Sequence, residues 1–444
     1  VWSDGQPYNA DDVDFTWKLW NNPKFGAQST VGFPLIQSTT ISADKLTITF
    51  HLSQPFAPFA SIWTDGLYAP LPKHHFASVD PSKILKSSDN LDPQVTSGPF
   101  TMSESRPGDH YTMVRNPKYY QAAQGLPYLD KFILKVVSSE DTVLKDLQSG
   151  AATSSWFLDV SKISAYKAIP NYTVIANPAA SNYEMAVFNF KNPILGKDLE
   201  VRKAIAMAID HQALISTARQ GQAVPLCTDH GKAFNPGYQA DAACPTYDPA
   251  AANKLLDQAG WVKGSDGYRS KGGQKLEFMY TTTSGKPWRL ADEELIQANL
   301  KAIGIKINIK NLQASSYFGT FLPNGQHDIG EFENSYNYDP DDGSILQCNQ
   351  IPVNGAGGQN YSFYCNKQLD KLVLGEQQSG DPTARQQFFN QIHQVELTDY
   401  PFVILYSPTD PGVAKNSVHN YLPGPLGASE TINVWKWWCD NGTC

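Results

Sequence analysis

Charge is scarce in this chain. Only 18% of its 444 residues are Asp, Glu, Lys or Arg, the net charge is -8, and no run of lysines or arginines occurs. A nucleic-acid surface needs a positive stripe to neutralise phosphates, so that class is excluded. No stretch approaches the roughly 20 consecutive apolar residues of a membrane span. The chain also lacks a GxSxG elbow, an HExxH helix, a Walker loop and a GxGxxG turn. CxxC and HxxxH spacings are missing too, and the adjacent His74 and His75 diverge, so no metal and no cofactor is expected.

What is present is apolar and polar-uncharged. Hydrophobic residues make up 41%, enough for a large core and more than one domain, and tyrosine is abundant. Six cysteines fall into three local pairs: Cys227 with Cys244, Cys348 with Cys365, and Cys439 with Cys444. Six cysteines permit 15 pairings, and proximity favours this set. Disulfides imply an oxidising compartment, and sequons at Asn171, Asn360 and Asn441 are compatible with export. The expectation is an extracytoplasmic protein.

Along the chain, Asn9 is an N-cap followed by acids, with Val13, Trp17 and Trp20 at helical spacing. Strands are expected in "KLTITFHL", on either side of the turn "RPGD", and in "YLDKFILKVV". "EDTVLKDLQSG" reads as a helix ended by Gly150. In "LEVRKAIAMAIDHQALISTA", Val201, Ala204, Ile205, Ala208 and Ile209 share one helical face. Later segments, "DEELIQANLKAIGIKINIK" and "ARQQFFNQIHQVELTDYPFVILY", run from helix to strand. Mixed helices and strands throughout predict an α/β protein of more than one lobe.

Eight segments in order resemble the bacterial extracellular solute-binding proteins of family 5, the oligopeptide and dipeptide receptors of ABC importers. Among them are "SDGQPYNADDVDFTW", "TSGPFTMSESRPGDHYTMVRNPKYY", "VFNFKNPILGKDLEVRKAIAMAIDHQALI" and "HDIGEFENSYNYDPDD". The resemblance implies a two-lobed periplasmic-binding-protein type II fold with an extra small domain. It divides the chain into the extra domain at 1–96, a first ligand lobe at 97–209 with 418–444, and a second lobe at 210–417. It also implies that tens of residues precede Val1, with a signal sequence and the first strands, and a lipid anchor tethering a monomer to the membrane. The solute sits between closing lobes, and permease subunits of the importer read the closed form.

The resemblance directs attention to "ENSYNYDPDDGSILQCNQ", Glu333 to Gln350. It is not a calcium loop, because no distal glutamate follows Gly343 at the required spacing. In peptide-binding members, an aspartate four residues before a proline pairs with the ligand's α-amino group. Counting back from Pro340 reaches Tyr336, while Glu333 offers a displaced carboxylate. Asn337 and Asp339 join this expected pocket wall. Arg289 lies near the position of a carboxylate-pairing arginine in dipeptide receptors; its other reading is an exposed arginine opening a helix. Trp156 and Tyr183 are expected to line the cleft or to pack in the core, and Trp288 is a further aromatic candidate. The C-terminal "WKWW" is expected to pack on the first lobe.

A peptide ligand is placed ahead of an oligosaccharide, and both ahead of a metal chelate. The alternatives outside transport are a secreted hydrolase using acids among Glu331, Glu333, Asp339, Asp341 and Asp342, or an adhesin on the same fold.

Overall fold

The computed structural model describes residues 1–27, 30–64, 69–156, 158–176, 181–336, 338–355, 357–422, 430–442 and 444. The first segment forms a small unit. Its helix Ala10–Trp20 starts where expected, with Asn9 and Asp12 in a reciprocal capping box. Strands β1 (Ile36–Ile41) and β2 (Ile48–Leu52) pair antiparallel. Trp17, Phe33 and Ile36 close a local core against Phe50, Phe59 and Trp63. His74 and His75 do diverge, one to Asp4 at 2.7 Å and the other to Asp89 at 3.0 Å.

An antiparallel meander follows: β3 (Phe100–Arg106), β4 (His110–Arg115) and β5 (Lys131–Lys135). Next come the helix Glu140–Ser149, ended by Gly150 at φ 77°, and the short strands β6 (Ser154–Ser155) and β7 (Tyr172–Ile175). That left-handed φ needs a residue without a Cβ.

The largest layer is a six-stranded sheet. It draws on β8 (Asn182–Phe188) and β9 (Ala223–Val224), and then, after a small meander of β10 (Val262–Lys263), β11 (Arg269–Lys271) and β12 (Gln274–Lys275), on β13 (Glu277–Thr283), β14 (Lys306–Leu312), β15 (Ile329–Ser335) and β16 (Phe402–Pro408). Its order is β14-β13-β15-β8-β16-β9. β13 runs parallel to β14 and β15, while β8 is antiparallel to β15 and β16.

Alternation along β8 sends Ala186 and Phe188 to one face and Tyr183, Met185 and Val187 to the other. The first face is covered by the helices Leu199–Ala208, Pro249–Gln258 and Pro287–Ala302. The second packs under Lys367–Gln378 and Pro382–Asp399. The layer is therefore α/β/α, as alternating helices and strands lead one to expect.

The chain then returns. β17 (Gly412–Lys415) inserts between β6 and β7, and β18 (Val418–His419) pairs with β19 (Trp438–Cys439). Trp437 of "WKWW" is buried and packs edge-on to Phe132.

Two expectations need correction. β8 and the helix Leu199–Ala208 lie in the six-stranded layer, whereas β17 belongs with β6 and β7. By sheet membership, the chain changes layer between β7 and β8 and again between β16 and β17, rather than at 209/210 and 417/418. The pairing of β8 with β15 and β16 decides this, and such long-range partners are invisible in a local pattern. The helix read as reaching Ile209 stops at Ala208. Ile209 turns extended, and Asp210 caps a new segment, His211–Ala213, which leads into a wide turn at Leu214–Ala218.

All three cysteine pairs are bridged, with Cα separations of 5.5, 4.8 and 5.2 Å in chain order. Asn360 is buried, and its amide donates to the carbonyls of Leu346, Gln347 and Tyr364, so its sequon cannot take a glycan in the folded chain. Among the described residues, no helix is long and apolar enough to cross a membrane.

Candidate functional site

The sequence puts charged residues on strands that are otherwise apolar. Glu184 interrupts β8, and Glu331 and Glu333 interrupt β15. These residues are brought alongside one another, Glu184 directly opposite Glu333 in the antiparallel register. Tyr280 of β13 donates to Glu331 at 2.7 Å. From the covering helix, Arg289 grips Glu184 with Nε at 2.8 Å and Nη2 at 3.2 Å, and it donates to Thr283 at 2.6 Å. Asp292, one turn on, accepts from Tyr406 at 2.5 Å.

The cluster continues to the crossings. Asn182 donates to Glu333 at 2.7 Å and to Asp410 at 3.0 Å, and Asp410 pairs with Arg219 at 3.3 Å. The Arg219 guanidinium lies 5.1 Å from the Trp288 ring and 5.6 Å from that of Tyr406. Trp156 follows directly on β6, whose Ser155 pairs with Val413 of β17. Asn182, Glu333 and Asp410 are joined by hydrogen bonds next to the start of β8 and the end of β16.

Acid outweighs base here. Among the described residues, Glu184, Glu331, Glu333, Asp292 and Asp410 have Arg219 and Arg289 as their guanidinium partners. Burial, reinforced by Asp410 and Glu184, holds the Glu333 carboxyl well above the usual carboxylate range. Burial likewise raises Glu331, with Asp292 and Glu184 adding to the effect. Glu333 nonetheless keeps part of its surface accessible, unlike Glu184 and Glu331. An incoming cation would find an acceptor there and relieve the repulsion among the acids.

The other expected site residues lie elsewhere. Tyr183 and Tyr336 meet on the opposite face of the sheet, hydroxyl to hydroxyl at 3.5 Å. Tyr336 is 5% exposed, stacks on His230 at 4.7 Å, and reaches Asp229 and Asp342, both at 2.5 Å. Its ring face, expected to meet a ligand, is instead covered by a histidine. Tyr183 is fully buried and accepts from Asn334 at 2.6 Å. Asp339 is held by both terminal nitrogens of Arg385, at 2.7 and 2.5 Å. Arg289 is neither exposed nor unpaired, because Glu184 occupies its fork. Asn337 lies outside the described residues.

The acids weighed for a hydrolase are each otherwise engaged. Asp341 accepts from Gln377 and from the Gly343 amide, and Asp342 meets Tyr336. Asn182, Glu184, Arg219, Asp292 and Asp410 were missed by sequence reasoning. Only Glu184 carried a signal, a carboxylate inside the apolar run "NYEMAVF".

Comparison with known proteins agrees with this architecture. The model of the bacterial extracellular solute-binding proteins, family 5 Middle, matches residues 1–350. The chain belongs to that family. It is 26% identical over 440 residues to the oligopeptide-binding protein AppA of Bacillus subtilis, covering 98% of this chain and 78% of that one. The solved structure of that AppA, in complex with a nonapeptide, superposes with a TM-score of 0.87 at 25% identity, covering 99% of this chain and 85% of that one. NikZ of Campylobacter jejuni, in complex with Ni(L-His), gives a TM-score of 0.86 at 23% identity, with 98% of this chain and 85% of that one covered, and speaks for the fold alone.

Proposed function

We propose that this chain is the extracytoplasmic receptor of an ABC importer. It captures a peptide-like solute between its lobes and presents the closed form to the permease subunits. The observation that carries this reading is the acid excess at the crossings, with Glu333 as its partly accessible member. A solute's ammonium group would pair with Glu333 in the position where Asn182 now holds it. Closure would remove water from the pair and strengthen it. The peptide bound by the relative AppA is in keeping with such a ligand. Of the residues that suggested an oligosaccharide, Tyr183 and Tyr336 are buried, with His230 stacked on the Tyr336 ring.

Thermal shift tests the proposal. Peptides with a free N-terminus should stabilise the protein by about 2.7 kcal/mol at a hundred times their Kd. Their N-acetylated forms should bind at least tenfold more weakly, as should free-amine peptides to Glu333→Gln. Equal responses to acetylated and free peptides would refute the ammonium contact. A response to oligosaccharides alone would replace the peptide reading.

A further inference from the structure

On the face of the sheet opposite the acid cluster lies a second buried polar group: Asp229, His230, Asp342, His393 and Glu396, all 2% exposed or less. The ligand reading leaves all of them unused. Three of their atoms converge. His230 Nδ1 is 2.9 Å from His393 Nε2 and 2.8 Å from Asp229 Oδ1, and His393 Nε2 is 3.4 Å from the same oxygen.

The outward nitrogens of both rings are committed. His230 Nε2 is 2.9 Å from the Pro340 carbonyl, which can only accept, so this nitrogen carries the hydrogen. His393 Nδ1 faces the side-chain oxygen of Gln239 at 3.1 Å and donates in the same way. As neutral imidazoles, the two rings therefore point lone pairs at one another and at a carboxylate oxygen. Three acceptors this close repel unless a proton or a metal ion lies between them, and a metal ion serves all three at once.

The surrounding groups fit that arrangement. Tyr336 touches the other oxygen of Asp229, Oδ2, and Asp342 Oδ1, both at 2.5 Å, leaving Asp229 Oδ1 turned to the two ring nitrogens. Glu396 lies one helical turn from His393, with its carboxyl beside that of Asp229. Two ligands on one zinc with bonds of about 2.0–2.1 Å stand about 3.3 Å apart in a tetrahedron, close to the edges of this triangle. Backbone and amide carbonyls holding the distal ring nitrogens are the usual outer support of metal-bound histidines.

We infer that Asp229, His230 and His393, with Glu396 as fourth ligand, form a structural site for a divalent first-row transition metal, Zn²⁺ being the probe. Imidazole nitrogen favours such an ion over calcium or magnesium. The site ties the segment around Asp229 to the helix Pro382–Asp399, inside the second lobe and away from the solute.

The test uses the untagged full chain, unfolded with chelator and refolded with or without Zn²⁺, since a buried site loads during folding. Elemental analysis should find one zinc per chain, with a higher Tm than the metal-free protein. Co²⁺ in its place should give the intense visible absorption of a four-coordinate site. His393→Asn and Glu396→Gln should each lose the ion and that absorption, whereas His74→Ala should keep both. Failure of the wild-type chain to take up zinc, with the same Tm either way, would overturn the inference even if the variants do not fold. Uptake undiminished in His393→Asn would also overturn it, identifying an adventitious surface ion.

Discussion

Arg289 and Glu184 form a pair whose worth lies in what its loss would leave behind. Both are buried, and the guanidinium makes two bonds to the carboxylate. Removing one partner strands the other charge, which costs about 3–5 kcal/mol. Arg289→Met should therefore lower the urea midpoint sharply while leaving the denaturant slope unchanged, and a loss below about 1 kcal/mol would show the pair to be dispensable. Glu333 gives a different prediction, in pH. Its pKa in the folded chain lies above its unfolded value, so between the two the folded state holds the extra proton. Stability from this group is present at low pH and falls as pH rises through that window. Glu331 and Asp292 act with the same sign, and Asp229, whose carboxyl is lowered, acts with the opposite one. Comparing wild type with Glu333→Gln by urea unfolding isolates the contribution. The wild type should lose more stability than the variant as pH rises above the usual carboxylate range. Identical slopes would remove Glu333 from the ionising cluster.

Among the elements, the loop from Cys348 to Cys365 depends most on its covalent closure. The short turn Cys348–Gln350 lies within it, and Asn360 ties back to that turn through its backbone N–H to the Gln350 carbonyl at 3.0 Å. The bridge spans 17 residues, worth about 3 kcal/mol in the chain-entropy picture. Replacing both cysteines by alanine should cost about that much in urea unfolding, and the pair Cys227–Cys244, of equal span, should behave alike. Non-reducing peptide mapping checks the connectivity itself. At the crossing, a Cβ on Gly412 would meet the Tyr421 hydroxyl at 2.1 Å, and that hydroxyl donates to the Ser155 carbonyl. The strand β17 thus enters the first lobe through a gap that only glycine fits.

At the scale of the whole molecule, the proposed closure would turn on the two passages of the chain, from β7 to β8 and from β16 to β17. Each layer has its own core, one on either face of the six-stranded sheet and others around Leu147 and Trp437. A rotation about the crossings leaves those cores intact, and hinge closure is the motion such an arrangement permits. Small-angle scattering should show a smaller radius of gyration on adding a free-amine peptide. Gly412→Val, which crowds Tyr421 beside the hinge, should reduce that change; an unaltered response would place the pivot elsewhere.

Local pattern was enough for much of this chain. The capping box at Asn9, the turn between β3 and β4, the glycine stop at Gly150 and the near-neighbour cysteine pairs all depend on residues a few positions apart, or on loops short enough to close by proximity. The order of eight family-like segments carried the two-lobed α/β architecture with them. Burial and partnership came only with the tertiary structure. Tyr336 sits where a ligand contact was expected, yet His230, 106 positions away in the chain by subtraction of residue numbers, covers its ring. Glu184 meets Arg289 across 105 positions, and His230 meets His393 across 163. No spacing rule links residues so far apart, because the pairing of β8 with β15 and β16, formed only when the sheet closes, brings their faces together.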